Sequence, residues 1–209
     1  MSIELKNIMP TYMSDAEIKA SDIYLVESVV FEKGKKYLIK ANSGHGKSSV
    51  LNFIYGSNAN FSGKIEFQGS FPKNGFDRRK SKISYVFQDF KLFPDLTVFE
   101  NIQLKNTLTD YKSIEEINSL IEKVQLGGKR DRLVQKLSLG QKQRVAIIRA
   151  LCQPFDFLLL DEPFSHLDQE NIAILTSIIE EELDKQGASL IMTSLVESKL
   201  FGFDKVLNL

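Results

Sequence analysis

Apolar and polar positions change their period several times along the 209-residue chain. Short apolar stretches at 3–8, 23–31 and 35–40, broken by turns such as Lys33 and Gly34, predict strands. A further strand and turn is expected at 63–69, and from about 97 to 126 the spacing becomes helical. There Ile114, Ile117, Ile121 and Val124 recur at intervals of three and four, behind a capping-box pair, Ser113 and Glu116. A helix over 138–152 is expected to stop at Gln153, because the residue before Pro154 is driven out of helical geometry. Residues 157–160 are wholly apolar, the mark of a strand covered on both faces, and a helix at 169–185 leads to strands at 189–193 and 205–209. Alternating strands and helices predict an α/β fold with a parallel sheet wrapped by helices.

Composition narrows the function classes. Hydrophobic residues make up 43% and charged residues 26%, proportions of one globular domain with a real core. Lysine plus arginine and aspartate plus glutamate each number 27, a net charge of zero. That balance argues against a dedicated nucleic-acid binder, whose affinity rests on phosphate neutralisation. The lone Cys152 has no partner for an internal disulfide, as expected in a reducing compartment. The first residues lack a signal-peptide apolar stretch, and no apolar run approaches the roughly 20 residues of a spanning helix.

Two segments carry chemistry. The stretch at 41–49 matches the phosphate-loop pattern G-x-x-x-x-G-K-[ST] at every fixed position except the first, where Ala41 stands for glycine. Asn42, Ser43, Gly44, His45, Gly46, Lys47, Ser48 and Ser49 are its candidate nucleotide-binding residues, His45 having no metal or catalytic role. The glycines let backbone N–H groups turn around phosphates, Lys47 adds a point charge, and Ser48 offers a hydroxyl to Mg²⁺. A helix is expected to follow as far as Tyr55. The second segment sets Asp161 and Glu162 directly after the apolar strand, where open α/β sheets bind ligands. Asp161 suits a magnesium ion through its hydration shell, and Glu162 suits orienting or deprotonating a water. Each segment has a plainer reading, a glycine-rich turn with a solvated lysine and a strand end with solvated acids.

Leu137-Ser138-Leu139-Gly140-Gln141-Lys142-Gln143-Arg144, followed by an apolar helix ending in Arg149-Ala150-Leu151, resembles the signature of the ATP-binding cassette (ABC) ATPases. Ser138 with Gln141 is also an ordinary capping box. The resemblance extends over essentially the whole chain. It implies a P-loop NTPase (RecA-like) core with a mainly parallel sheet, an antiparallel β subdomain and an inserted α-helical subdomain at about 89–145. All of this is expected in one domain, 1–209, with no further C-terminal domain. The segment 85–89 looks like the Q-loop, which gives Gln88 a place at Mg²⁺ or the attacking water, and 165–168 resembles the D-loop, with Ser165 and Asp168 also placed to form a helix cap. Tyr12 sits where relatives stack an aromatic on adenine, with Tyr24 as a rival. By the same resemblance Ser138, Gly140 and Gln141 face the nucleotide of a second cassette, as homodimer or heterodimer, and ATP and Mg²⁺ are the ligands. A membrane permease is the implied partner and the inner face of the cell membrane the implied location. Phe90, Leu92, Phe93 and Leu96 are candidates for an apolar groove on that partner, or for internal packing.

Three positions depart from the family pattern. They are Ala41, Leu139 at the third signature position, and Ser194 where relatives carry the switch histidine. Serine donates a hydrogen bond but carries no positive charge, so Ser194 is a weakened catalytic candidate. Loss of one aimed donor to the γ-phosphate costs on the order of 10²–10³ in rate, so the reading is an ATPase subunit with slow turnover. Its rivals are a soluble cassette acting on DNA or the ribosome and a nucleotide-binding regulatory module without catalysis.

Overall fold

In a computed structural model of the chain, which describes residues 1–13, 18, 21–24, 26–40, 46–69, 81–195 and 200–209, the strands build two sheets. In chain order the strands are β1 (Ser2–Pro10), β2 (Ser28–Glu32), β3 (Lys36–Lys40), β4 (Phe61–Gln68), β5 (Ile83–Val86), β6 (Phe157–Asp161), β7 (Ser189–Ser194) and β8 (Lys205–Asn208). The helices are α1 (Lys47–Tyr55), α2 (Val98–Asn106), α3 (Ile114–Lys123), α4 (Leu139–Leu151) and α5 (Gln169–Gln186). Met1–Tyr85, Phe155–Glu162 and Gly187–Leu209 form one unit, and Val86–Pro154 with Pro163–Gln186 a second.

The first unit holds an antiparallel sheet in the order β2-β1-β4 and a five-stranded sheet in the order β5-β6-β7-β3-β8. In β1 the period is two: Ile3 and Leu5 turn inward and Ser2, Glu4 and Lys6 outward, until a register shift before Met9. β6 is buried at all five positions, as its unbroken apolar run demands. β3, β6, β7 and β8 pair in parallel, with Asp161 opposite Thr193 and Lys40 opposite Ser194. That register gathers the carboxyl ends of β3, β6 and β7 at one edge, where α/β sheets place their ligands.

The strand expected at 23–31 begins only at Ser28. The Ser21 hydroxyl accepts from the N–H groups of Ile23 (3.0 Å) and Tyr24 (2.8 Å), closing a turn that competes with a strand ladder. Ile23 and Tyr24 are nevertheless buried, so the apolar pattern reported burial correctly and conformation incorrectly.

In the second unit the helical stretch at 97–126 divides in two. Thr97 and Ser113 each head a capping box, with Glu100 and Glu116 reaching back. Between them Asn106 closes the loop, its amide donating to the Lys112 carbonyl (2.8 Å) and its oxygen accepting from the Lys112 N–H (2.9 Å). Lys112 is itself buried, its ammonium 2.6 Å from Glu182 Oε2 on α5. At the start of α5 the cap is Asp168, which accepts from the Asn171 N–H at 2.9 Å, rather than Ser165, whose hydroxyl lies 2.9 Å from His166 Nδ1.

Candidate nucleotide site

α1 starts directly at Lys47, behind an N-cap glycine, Gly46, at φ 84°, a left-handed conformation that costs glycine little. Ala41 and the candidates Asn42, Ser43, Gly44 and His45 lie outside the described residues. Lys47 is 5% exposed, and its Nζ stands 3.3 Å from Glu162 Oε1. The lysine of the helix start and the acid after β6 are thus brought together across 115 residues of sequence.

Glu162 has a backbone φ of 46°, a strained conformation for a non-glycine residue. Its N–H donates to Thr193 Oγ1 (3.0 Å), and the Thr193 hydroxyl donates to Asp161 Oδ1 (2.7 Å). One buried threonine on β7 therefore holds both acids. Burial raises the Asp161 carboxyl above its usual range. Hydrogen bonds from Ser48, Thr193 and Tyr85 oppose that rise, and the neighbouring Glu162 charge adds to it. An oxygen pair of Ser48 and a buried acid whose charge is penalised fits Mg²⁺, a hard cation that takes oxygen ligands and relieves the penalty. Ser194 closes β7, half-buried, with its backbone opposite Lys40.

The two tyrosines separate clearly. Tyr12 is 53% exposed and its hydroxyl bonds the Ser49 hydroxyl on α1, which leaves ring surface free for an adenine. Tyr24 is 2% exposed and donates its hydroxyl to the Gly46 carbonyl at 2.9 Å, so it has no open face to stack.

The remaining candidates belong to the second unit. Gln88 is exposed in the loop after β5. Beyond it Phe90 and Lys91 both take left-handed φ, at 64° and 46°. The Arg149 guanidinium holds this turn by donating to both carbonyls at 2.7 Å. Phe90 is buried and Phe93 is 54% exposed, so of that apolar pair only Phe93 presents a surface. Ser138 accepts from the Gln141 N–H (3.3 Å) and Gln141 accepts from the Ser138 N–H (3.2 Å), the capping box in full. Leu139 is 54% exposed, pointing aside from the packing of its own chain.

Gly140 is required by close approach: a Cβ there would stand 2.6 Å from the His166 carbonyl oxygen. Gly140→Ala gains about 1 kcal/mol of helix propensity. It loses about 1–3 kcal/mol to overpacking, because the neighbour is backbone and cannot swing away. The expected result is a urea midpoint below that of the natural chain. An unchanged or higher midpoint would contradict the close approach.

Motif reading misses Thr193 and Tyr85, which bond Asp161, and, within the second unit, Arg149, which holds the turn after Gln88. Thr193 had a signal, its place one residue before the departed histidine, but its bonds to Asp161 and Glu162 depend on strand register. Arg149 carries no sequence signal beyond its place in a helix ending.

Residues 27–165 match the family model described as ABC transporter. An ABC transporter ATP-binding protein assigned in Pyrococcus furiosus shares 20% identity over 100% of this chain and 98% of its own, with a TM-score of 0.78, which carries the fold. The ATP-binding cassette MJ0796, in a dimeric post-hydrolysis state bound to ADP and phosphate, shares 27% identity over 92% of this chain and 87% of its own, with a TM-score of 0.73.

Proposed function

Since the chain belongs to the ABC transporter family, we propose that it is an ATP-binding and ATP-hydrolysing subunit that pairs with a second cassette and couples to a membrane permease. The observation that carries this reading is the meeting of Lys47 with Glu162 at 3.3 Å, beside Asp161 and Ser48 at the N-terminus of α1. A cationic side chain, a helix N-terminus and a poised carboxylate together suit a triphosphate and the water that attacks it.

In this reading the Lys47 ammonium leaves Glu162 and neutralises phosphate oxygens of ATP. Ser48 and Asp161 would hold Mg²⁺, which when bound spreads the negative charge of the triphosphate; a place for Gln88 at the ion rests on the Q-loop resemblance alone. Glu162 accepts a proton from water as the water oxygen bonds to the γ-phosphorus. The bond from that phosphorus to the β–γ bridging oxygen breaks, leaving ADP and phosphate. Ser194 replaces a cationic donor with a neutral one, which favours slow turnover. The α4 N-terminus, led by Ser138 with Gly140 and Gln141, faces the phosphates of the second cassette, and the exposed Leu139 brings an apolar side chain to that face. The dimeric state of MJ0796 supports this arrangement. Pairing with a cassette that keeps its switch histidine gives one of the two composite sites a cationic donor, and that site is the one closed by the Leu139-bearing signature of this chain.

Among the described residues no helix is long and apolar enough to cross a membrane. A permease partner at the inner face of the cell membrane supplies the transport path, and Phe93 is the aromatic placed to meet it. Calorimetry tests the nucleotide site. Lys47→Ala is expected to weaken Mg²⁺-ATP binding about ten- to a hundredfold, the range of a charge-assisted hydrogen bond. Equal heats and affinities for the two proteins remove the assignment.

A further inference from the structure

Tyr24 carries a bond that neither adenine stacking nor core packing requires. Its hydroxyl donates to the carbonyl oxygen of Gly46 at 2.9 Å. The same oxygen accepts the Val50 N–H at 3.1 Å, so both of its lone pairs are engaged. Its ring closes over the glycine: a Cβ on Gly46 would lie 2.9 Å from the Tyr24 hydroxyl and 3.2 Å from ring carbon Cε2. The tyrosine itself is held firmly. Its N–H donates to Ser21 Oγ at 2.8 Å, and the adjacent Asp22 exchanges bonds with Asn208 on β8, Asp22 N–H to the Asn208 carbonyl (2.8 Å) and Asn208 N–H to Asp22 Oδ2 (2.7 Å). A buried phenol on a turn bound to the central sheet is a rigid donor.

The consequence follows from peptide geometry. The Gly46 carbonyl and the Lys47 N–H belong to one planar trans unit and point in opposite directions. Gly46 sits at φ 84°, a residue with the widest freedom to swing, and the helix bond to Val50 engages only one lone pair. Building on the nucleotide reading above, we infer that Tyr24 is a positioning residue for the polyphosphate: its hydroxyl pins the Gly46–Lys47 peptide so that the Lys47 N–H stays aimed out of the α1 N-terminus. The tyrosine acts through the peptide and touches no reacting atom. Its ligand chemistry is the diphosphate unit common to ATP, GTP and inorganic pyrophosphate.

Tyr24→Phe keeps the ring and removes only the donor. Calorimetry with Mg²⁺-pyrophosphate, Mg²⁺-ATP and Mg²⁺-GTP is expected to show all three weakened by the same factor, about two- to tenfold, with the ATP to GTP ratio unchanged. A purely structural tyrosine would instead lower the melting midpoint and leave pyrophosphate affinity as it was, which overturns the inference. Should Tyr24→Phe fail to fold, 3-fluorotyrosine placed at this position alone makes the phenol a stronger donor. Tighter pyrophosphate binding is then the supporting result and unchanged binding the overturning one. Lys47→Ala separates the two levels. If the natural chain binds no polyphosphate, the nucleotide reading and this inference fall together. Binding that is weakened in Lys47→Ala and unaltered in Tyr24→Phe removes this inference alone.

Discussion

Glu162→Gln is expected to lower phosphate release by on the order of 10²–10⁴, the usual worth of a positioned general base, while strengthening ATP binding. The two effects share one cause. Lys47 and Glu162 face each other at 3.3 Å, with side-chain exposures of 5% and 16%, so an incoming phosphate competes with Glu162 for the same ammonium. Glutamine keeps the shape and removes both the competing charge and the proton acceptor. It also keeps the N–H that donates to Thr193 Oγ1 at 3.0 Å, so the left-handed backbone at φ 46° retains its support. The measurement is phosphate release in single turnover together with light scattering of Mg²⁺-ATP-loaded protein. A hydrolytic subunit should stop releasing phosphate and accumulate as an ATP-bound dimer. A regulatory module that only binds nucleotide should give the same phosphate trace before and after the substitution, and that result would sink the catalytic role of Glu162.

Lys112→Met is expected to destabilise the chain by about 3–5 kcal/mol, because it strands Glu182 as an uncompensated buried carboxylate. Both side chains lie below 10% exposure, and the pair at 2.6 Å is closed by the Tyr111 hydroxyl and by Gln186 Nε2, each donating to Glu182 Oε1. Replacing both ions, Lys112→Met with Glu182→Leu, should recover most of the loss, since a buried pair adds little over a well-packed apolar one. Urea denaturation of the three proteins checks this, and a double variant as unstable as the single would refute it. The pair also sets a pH dependence. Burial pushes the Glu182 carboxyl up, but the Lys112 ammonium and the hydrogen bonds from Tyr111 and Gln186 outweigh it, and the net shift is below the ordinary value of 4.5. A carboxyl lowered by folding stabilises the native state above its unfolded value and loses that contribution as pH falls through the folded one. The urea midpoint of the natural chain should therefore drop below pH 4.5, and the double variant should lack that part of the drop.

The strands β3, β4, β6, β7 and β8 and the three later helices were legible because their cues are local, whereas β5 at Ile83–Val86 carries no turn signal or period of its own and was not. β6 is an unbroken apolar run, α3 follows a capping box with apolar residues at three and four, and α4 ends before Pro154. Lys47, Asp161 and Glu162 were legible as candidates because the proposed phosphate calls for a cation beside a helix start and the proposed metal for an oxygen donor at a strand end. The stretch at 23–31 misled because a serine hydroxyl two and three residues upstream closes a turn at an energy comparable to a strand bond, and no periodicity reports that competition.

Determined by the chain alone are most of the elements, the apolar surfaces that bury them and the kinds of groups offered to a ligand, since these depend on neighbours within a few residues. Tertiary structure alone decided which groups meet. Thr193 reaches Asp161 and Glu162 only because β6 and β7 pair in one register, Lys112 finds Glu182 from 70 residues away, and Tyr24 rather than Tyr12 lies under Gly46. Hydrogen bonds and ion pairs act over about 3 Å, whereas the pattern of apolar residues tells only which side of an element is dry. The partners at that range are set by how the strands and turns assemble.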